Sequence, residues 1–239
     1  MKNLLNKTKT EIFGGWSTKE MIYAWLLIGI QIAFYVLYPD SLWGFIAGVT
    51  GTICVLFTAK GKISSYFFGF IQTGIMMVLG FNVGLIGETG ENIFYFFTQF
   101  LGIKEWKKNM GESQETVRTR KLTGKQWSLL IIAIIVATLA LGFGFNSFNG
   151  TQPYIDAFTL VAALFGQMLM VYRFREQWLL WGLLNVVSIY QWATLGNMSL
   201  VALYIAFLIN TVYGFINWTK LQKPVNQENS ADKVLMSNI

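Results

Sequence analysis

The sequence predicts an all-α integral membrane protein with eight transmembrane helices, and three observations carry that reading. First, 54% of its 239 residues are apolar and 13% are charged, about half the roughly 25% charge of an ordinary soluble domain. Mean hydropathy is +0.48. Second, the nine Trp, ten Tyr and twenty Phe suit a lipid-facing surface with aromatic belts at both interfaces. Third, threading the chain through eight spans puts all 18 Lys and Arg on one side. By the positive-inside rule that side is cytoplasmic, so both termini are cytoplasmic and the number of spans is even.

A spanning helix needs about 20 mostly apolar residues. Residues 1–20 hold Lys2, Lys7, Lys9 and Lys19 without an apolar core or cleavage site, so they read as a cytoplasmic segment and not a removed signal peptide. The first stretch, 21–38, ends at Pro39-Asp40-Ser41, where Pro restricts its predecessor and Asp or Ser can cap the next helix. The second and third, 42–59 and 63–81, are split by Lys60-Gly61-Lys62, a tight basic turn. A short fourth stretch, 92–106, follows an outer loop with Glu88 and Glu91 and ends at Trp106. Residues 107–126 form a basic loop, explained by attraction to anionic headgroups with no need for nucleic acid. The fifth stretch is 127–145, the sixth is a short 157–172, and Arg173 and Arg175 mark the next turn. The seventh and eighth, 178–195 and 199–218, precede a polar tail, 219–239.

Stretches two to four (42–106) and six to eight (157–218) have the same sidedness and both end at a Trp, Trp106 or Trp218. An offset of 113 aligns Lys60-Gly61-Lys62 with Arg173-Phe174-Arg175 and Gln72 with Asn185. A one-residue slip, to 112, aligns Gly102–Trp106 with Gly214–Trp218. The fifth stretch restores the orientation. The plan is a 3+1+3 parallel repeat of three-helix bundles plus one extra N-terminal helix, an arrangement that places substrate near the midplane between repeats.

No Asp, Glu, Lys or Arg lies near the centre of a span. Amides do: Gln72, Gln99, Asn185 and Asn210. Intramembrane polar groups tend to face a bundle interior or cavity. The alternative for each is an interhelical hydrogen bond of about 0.6 kcal/mol. Trp181, Asn185, Ser188 and Trp192 share one face of the seventh helix, and Phe68 and Gln72 one face of the third. A Trp–amide stripe can stack a flat ring and bond its edge, with added attraction for a cationic ring; packing and interfacial anchoring are the alternative for the tryptophans. Gly44-x-x-x-Gly48 and Gly51 permit close helix approach. Gln31 and Gln167 also lie at depth. With no His and one Cys, Cys54, His-based catalysis, imidazole metal sites and an intrachain disulfide are excluded. Neither P-loop, nucleophile elbow nor dinucleotide motif is present, so no catalytic residue, metal or cofactor is expected.

The chain resembles the PnuC family of nicotinamide riboside transporters over about 20–220. The resemblance rests on Trp178-x-x-Trp181-Gly182-x-x-Asn185, Tyr190-Gln191-Trp192, Gly214-Phe215-Ile216-Asn217-Trp218, and Gln99–Trp106 as the first-half counterpart. It implies a SWEET-like fold, a vitamin B3 nucleoside as substrate, and facilitated diffusion in the cell (inner) membrane, with a cytoplasmic riboside kinase trapping the product. Another aromatic vitamin, such as thiamine, stays open as the substrate, as does a non-transporting multi-span subunit; so does homo-oligomerisation.

Overall fold

All eight apolar stretches form helices. The computed structural model describes residues 10–37, 41–82, 86–110, 115–147, 152–194 and 198–222. The helices are α1 Thr18–Leu37, α2 Leu42–Lys60, α3 Ser65–Asn82, α4 Ile86–Lys108, α5 Gly124–Ser147, α6 Pro153–Val171, α7 Gln177–Thr194 and α8 Met198–Lys220. At 1.5 Å per residue, even the 18-residue helices are about 27 Å long, close to a hydrocarbon core of about 30 Å.

The two stretches that read as short both form longer helices. α4 starts at Ile86, not 92, so Glu88 and Glu91 lie in its first two turns, where the helix dipole favours carboxylates. α6 starts with Pro153 at its first position, which needs no amide hydrogen there. Among the described residues, α1, α2, α5 and α6 are apolar enough throughout to cross a membrane by length and composition alone. The others reach the needed length but carry more amides, hydroxyls, Tyr and Trp.

The distribution of those groups is inverted relative to a soluble protein. On α4, Phe97, Phe100 and Leu101 are exposed, whereas Thr98 and Gln99 between them are buried. On α8, Ile205, Ile209, Val212 and Ile216 line the outside while Asn210 and Thr211 are inside. An apolar exterior around a polar interior suits lipid as the surrounding solvent. With this surface and these long apolar helices, the protein is an integral membrane protein.

Sequential helices pack on one another within α2–α3–α4 and within α6–α7–α8, and the two sets meet through α4 on α6 and α2 on α8. One offset, 112, relates the contacts. Trp106 Nε1 donates to Met170 O at 3.1 Å, and Trp218 Nε1 to Thr58 O at 2.7 Å. Gly102 faces the Tyr66 ring closely, as Gly214 faces Trp178. This corrects the register read from the basic turns: Lys60-Gly61-Lys62 matches Tyr172-Arg173-Phe174, with no slip. The turns superpose by backbone conformation. Gly61 ends α2 at φ 71°, and Arg173 holds the same left-handed conformation at φ 65°. Lys62 N–H donates to Phe57 O at 2.9 Å and Phe174 N–H to Leu169 O at 2.8 Å. Because an arginine stands where glycine is the usual choice, aligning the basic residues displaced the register by one.

The 107–126 segment does more than meet headgroups. Val117 N–H donates to Gly61 O at 2.8 Å and Arg120 N–H to Arg173 O at 2.9 Å, so one short stretch ties both left-handed turns together. Arg173 is held by Glu105 at 3.0 Å and by Arg118 O at 2.9 Å; burial lowers its pKa, which Glu105 offsets in part. Beneath this strap lies an aromatic chain, Tyr66–Trp106–Trp218–Trp178, with successive centroids 5.0, 5.7 and 5.9 Å apart. It is symmetric under the same offset. Val117 packs on it, closing the end of the molecule that carries the basic turns.

α1 packs on α2 and reaches α8. Glu20 bonds Lys60 at 2.9 Å and accepts from Tyr213 OH at 2.6 Å, while Tyr23 OH donates to Asn210 Oδ1 at 3.3 Å.

Candidate functional site

Between the two helix sets lies a cavity of about 580 Å³. Tyr66, Gln177 and Trp178 line it near the basic turns, amides and hydroxyls line its middle, and Glu91, Asp156 and Tyr204 line the opposite end. Among the described residues the lining contains no Lys or Arg, and Glu91 and Asp156 are its charged members.

The middle is built from two equivalent pairs. Gln99 Nε2 donates to Thr73 Oγ1 at 3.0 Å, and Asn185 Nδ2 donates to Thr211 Oγ1 at 3.1 Å. Thr73 and Asn185 occupy matching positions in α3 and α7, as do Gln99 and Thr211 in α4 and α8. Amide and hydroxyl exchange places between the repeats. Each hydroxyl also donates to the carbonyl one turn back, Gly69 O at 2.8 Å and Phe207 O at 2.9 Å. With its hydroxyl hydrogen used there, each Thr can accept from the amide, and the amide oxygens of Gln99 and Asn185 remain able to accept from a ligand. A third amide, Gln167 on α6, crosses to Thr98 of α4 at 3.0 Å and lines the cavity too.

One position breaks the symmetry. Trp181, on α7, corresponds to Gly69 on α3, and both line the cavity. The indole packs on Gly166, where an added Cβ would lie 3.3 Å from the ring. Its Nε1 donates to Gln177 Oε1 at 3.0 Å, and Tyr95 stands edge-on with centroids 6.2 Å apart. Tyr95 OH in turn bonds Glu91. One repeat therefore offers a fixed aromatic face, and the other has a glycine in its place.

Of the residues expected at the site, Trp181, Asn185, Ser188, Gln72 and Gln99 line the cavity. Gln72 lies against Gly51 of α2, whose added Cβ would sit 3.1 Å from Gln72 Cγ. Two do not reach it. Asn210 is turned to Tyr23 of α1, and Phe68 packs on Phe57, with centroids 5.6 Å apart, lining an apolar groove with Trp16. Phe68 and Gln72 are one helical turn apart on the side of α3 that meets α2: Gln72 passes Gly51 to line the cavity, whereas Phe68 meets Phe57 and the groove beside Trp16. The Trp192 side chain lies outside the described residues. Sequence reasoning missed Thr73, Thr211 and Tyr95. The threonines were legible in principle, because the 112 offset pairs each with an amide. Among the described residues no group of three or more His, Cys, Asp or Glu could hold a metal ion.

A sequence profile described as nicotinamide mononucleotide transporter matches residues 41–220. A protein from Neisseria mucosa named nicotinamide riboside transporter PnuC is 38% identical over 226 residues, covering 90% of this chain and 86% of its own. A Haemophilus influenzae protein of the same name is 38% identical, covering 93% of this chain and 99% of its own. The crystal structure titled vitamin B3 transporter PnuC superposes with a TM-score of 0.78 at 38% identity, covering 90% of this chain and 96% of that one. On the extent of these matches, the chain belongs to the nicotinamide mononucleotide transporter family, with PnuC among its relatives.

Proposed function

We propose that this protein carries nicotinamide riboside across the cell (inner) membrane by facilitated diffusion. In this reading the fold is the SWEET-like 3+1+3 plan, with eight spans and both termini cytoplasmic. Substrate binds at mid-depth between α2–α4 and α6–α8, with the pyridinium ring on Trp181, its edge on Asn185, and Gln72, Gln99 and Ser188 available to the ribose hydroxyls. A cytoplasmic riboside kinase would trap the product. The names of the relatives and the polar, aromatic cavity support this.

The observation that carries this reading is the charge of the lining: among the described residues, two carboxylates and no Lys or Arg. The riboside is a cation, which carboxylates at the mouth attract and an indole face stabilises. The mononucleotide adds about −1.5 to −2 charges, which this cavity cannot balance, and an unbalanced charge at depth costs several kcal/mol. The family's description and its relatives' names differ on this point, and the cavity sides with the riboside. Titrating the purified protein with nicotinamide riboside, nicotinamide and nicotinamide mononucleotide tests it. Tight binding of the riboside with at least hundredfold weaker binding of the mononucleotide is expected. Comparable binding of the two would overturn it.

A further inference from the structure

Residues 117–122 make more bonds than a connection between α4 and α5 needs, and these divide unequally between the two helix sets. Toward α6–α8, Arg120 N–H donates to Arg173 O at 2.9 Å, and Arg175 N–H returns to Arg120 O at 3.0 Å. Thr119 Oγ1 donates to Trp218 O, and Leu122 N–H to Glu176 Oε2 at 3.1 Å. The Arg120 guanidinium lies over the Phe174 ring at 4.2 Å, and Leu122 is buried with Leu169, Phe174 and Leu180. Toward α2–α4 there are two bonds, both at 2.8 Å: Val117 N–H to Gly61 O, and Arg118 N–H to Asn109 O just past the end of α4.

One ion pair runs beside the strap. Arg173 donates to Arg118 O and also reaches Glu105 of α4 at 3.0 Å. The Glu105 side chain is 27% exposed, so water can take the place of the guanidinium, and such a pair parts at little cost. The bonds toward α6–α8 include Glu176, whose side chain is buried, and a leucine seated in a core cluster, which are costlier to undo. Trp106 to Met170 O and Trp218 to Thr58 O also cross between the sets, but each repeat supplies one of them, and they favour neither side.

We propose that residues 117–122 are a lid over the basic-turn end of the cavity, which travels with α6–α8 and parts from α2–α4 at Val117–Gly61 and Arg118–Asn109, with the Arg173–Glu105 ion pair as its latch. Closed, the lid holds Val117, 1% exposed, against the aromatic chain that shuts that end. Released, it lifts Val117 off the rings and frees the two sets to separate there. The inference rests on the reading of the cavity as a carrier's path between two sides. It adds which segment closes one side, which half of the molecule carries that segment, and which contact lets go.

Cys54, the one cysteine of the chain, lines the cavity and can report its opening. A quaternary-ammonium methanethiosulfonate, which does not cross the bilayer, is applied to vesicles holding the full-length chain in either orientation, and modification of Cys54 is timed without substrate. Glu105→Gln should speed modification from the basic-turn face about three- to tenfold, by raising the population open there, and should not speed it from the opposite face. Equal acceleration from both faces, or none from the basic-turn face, would overturn the proposal. Amide hydrogen exchange in the same variant locates the parting line. Exchange at Val117 and Arg118 should rise by a similar factor while Arg120, Leu122 and Arg175 keep their protection. A matching rise at Arg120 and Leu122 would overturn the attachment of the lid to α6–α8. Neither readout uses the riboside, so absence of riboside uptake in proteoliposomes with these readouts as expected would overturn the transport reading and leave the lid standing.

Discussion

Trp181 and Asn185 lie one helical turn apart, and each is held by a neighbour that fixes its orientation: Gln177 for the indole and Thr211 for the amide. Preorganised groups of this kind lose little entropy on binding. Trp181→Ala and Asn185→Ala are each expected to weaken riboside binding more than tenfold, about 1.4 kcal/mol, in titrations of folded protein. Gly69→Ala addresses the other half of the cavity. An added Cβ there would fall on the Gln99 side-chain oxygen and lie 3.3 Å from Cys54 Sγ, pushing Gln99 off Thr73. A loss of about tenfold in affinity is expected, together with a lower melting temperature, because the methyl displaces a buried amide from its hydrogen bond. The cavity lining was legible in the sequence where a polar side chain interrupts an apolar stretch, as Gln72, Gln99 and Asn185 do. It was not legible where direction matters. Asn210 has the same composition signal, yet its helix face turns it to Tyr23, and only the packing of α1 on the outside decides that. Phe68 shows the converse: spacing puts it one turn from Gln72, but the packing of Phe57 and Trp16 around it holds it in a separate apolar groove.

At the scale of elements, α1 and α5 were expected to be apolar helices standing before each three-helix set, and both open on reciprocal caps. Ser17 N–H and Glu20 N–H exchange bonds with each other's side chains at 2.8 and 3.3 Å, as do Thr123 and Gln126 at 2.9 and 3.4 Å. Apolar length located the helices, whereas charge misled at their ends: the carboxylates that seemed to delay α4 belong to its first turns. The repeat register was likewise hidden, because the residue that sets its phase is Gly61 in one turn and Arg173 in the other. Backbone conformation equates them, and side-chain chemistry does not. Gly61→Ala tests how far that turn depends on glycine. At φ 71° an alanine pays about 1–2 kcal/mol of backbone strain, and its Cβ would sit 2.8 Å from Leu221 Cδ1. Gly15 has φ 70° with open space around it, so Gly15→Ala pays strain alone. Thermal unfolding in detergent should show the larger drop in melting temperature for Gly61→Ala. Equal drops would mean that the strap over the turn yields without resistance.

For the whole molecule, two matched helix sets enclose a cavity lined by amides, hydroxyls and aromatic rings, whose basic-turn end is closed by the aromatic chain and by the 117–120 strap. Rocking of one set against the other would expose the cavity to alternate sides, as in transporters built from parallel repeats. Whether such a cycle is driven depends on what travels with the substrate. A proton-coupled carrier needs a titrating group that both sides can reach in turn. The carboxylates lining this cavity are Glu91 and Asp156, and both lie within the first two turns of their helices, at the end away from the basic turns. Between the ends, amides and aliphatic hydroxyls predominate, beside the Cys54 thiol and the Tyr95 hydroxyl, and no carboxylate lies among them. Neither acid is placed to take a proton across, and their charge serves instead to raise the local concentration of a cation at the mouth. Transport should therefore be passive. In proteoliposomes containing the protein alone, riboside uptake should stop at equal concentrations when no voltage is applied. It should be indifferent to imposed proton or sodium gradients at zero potential. A membrane potential should still shift the end point, because the substrate itself is charged: about tenfold for each 60 mV if the full charge crosses, since 100 mV acts on one charge with about 2.3 kcal/mol. Accumulation driven by a proton or sodium gradient with the voltage clamped would show a coupling site that the mid-depth chemistry does not contain. Neutralising the mouth with Glu91→Gln and Asp156→Asn should slow entry at low ionic strength and leave that end point unmoved, because steering changes rates and not equilibria.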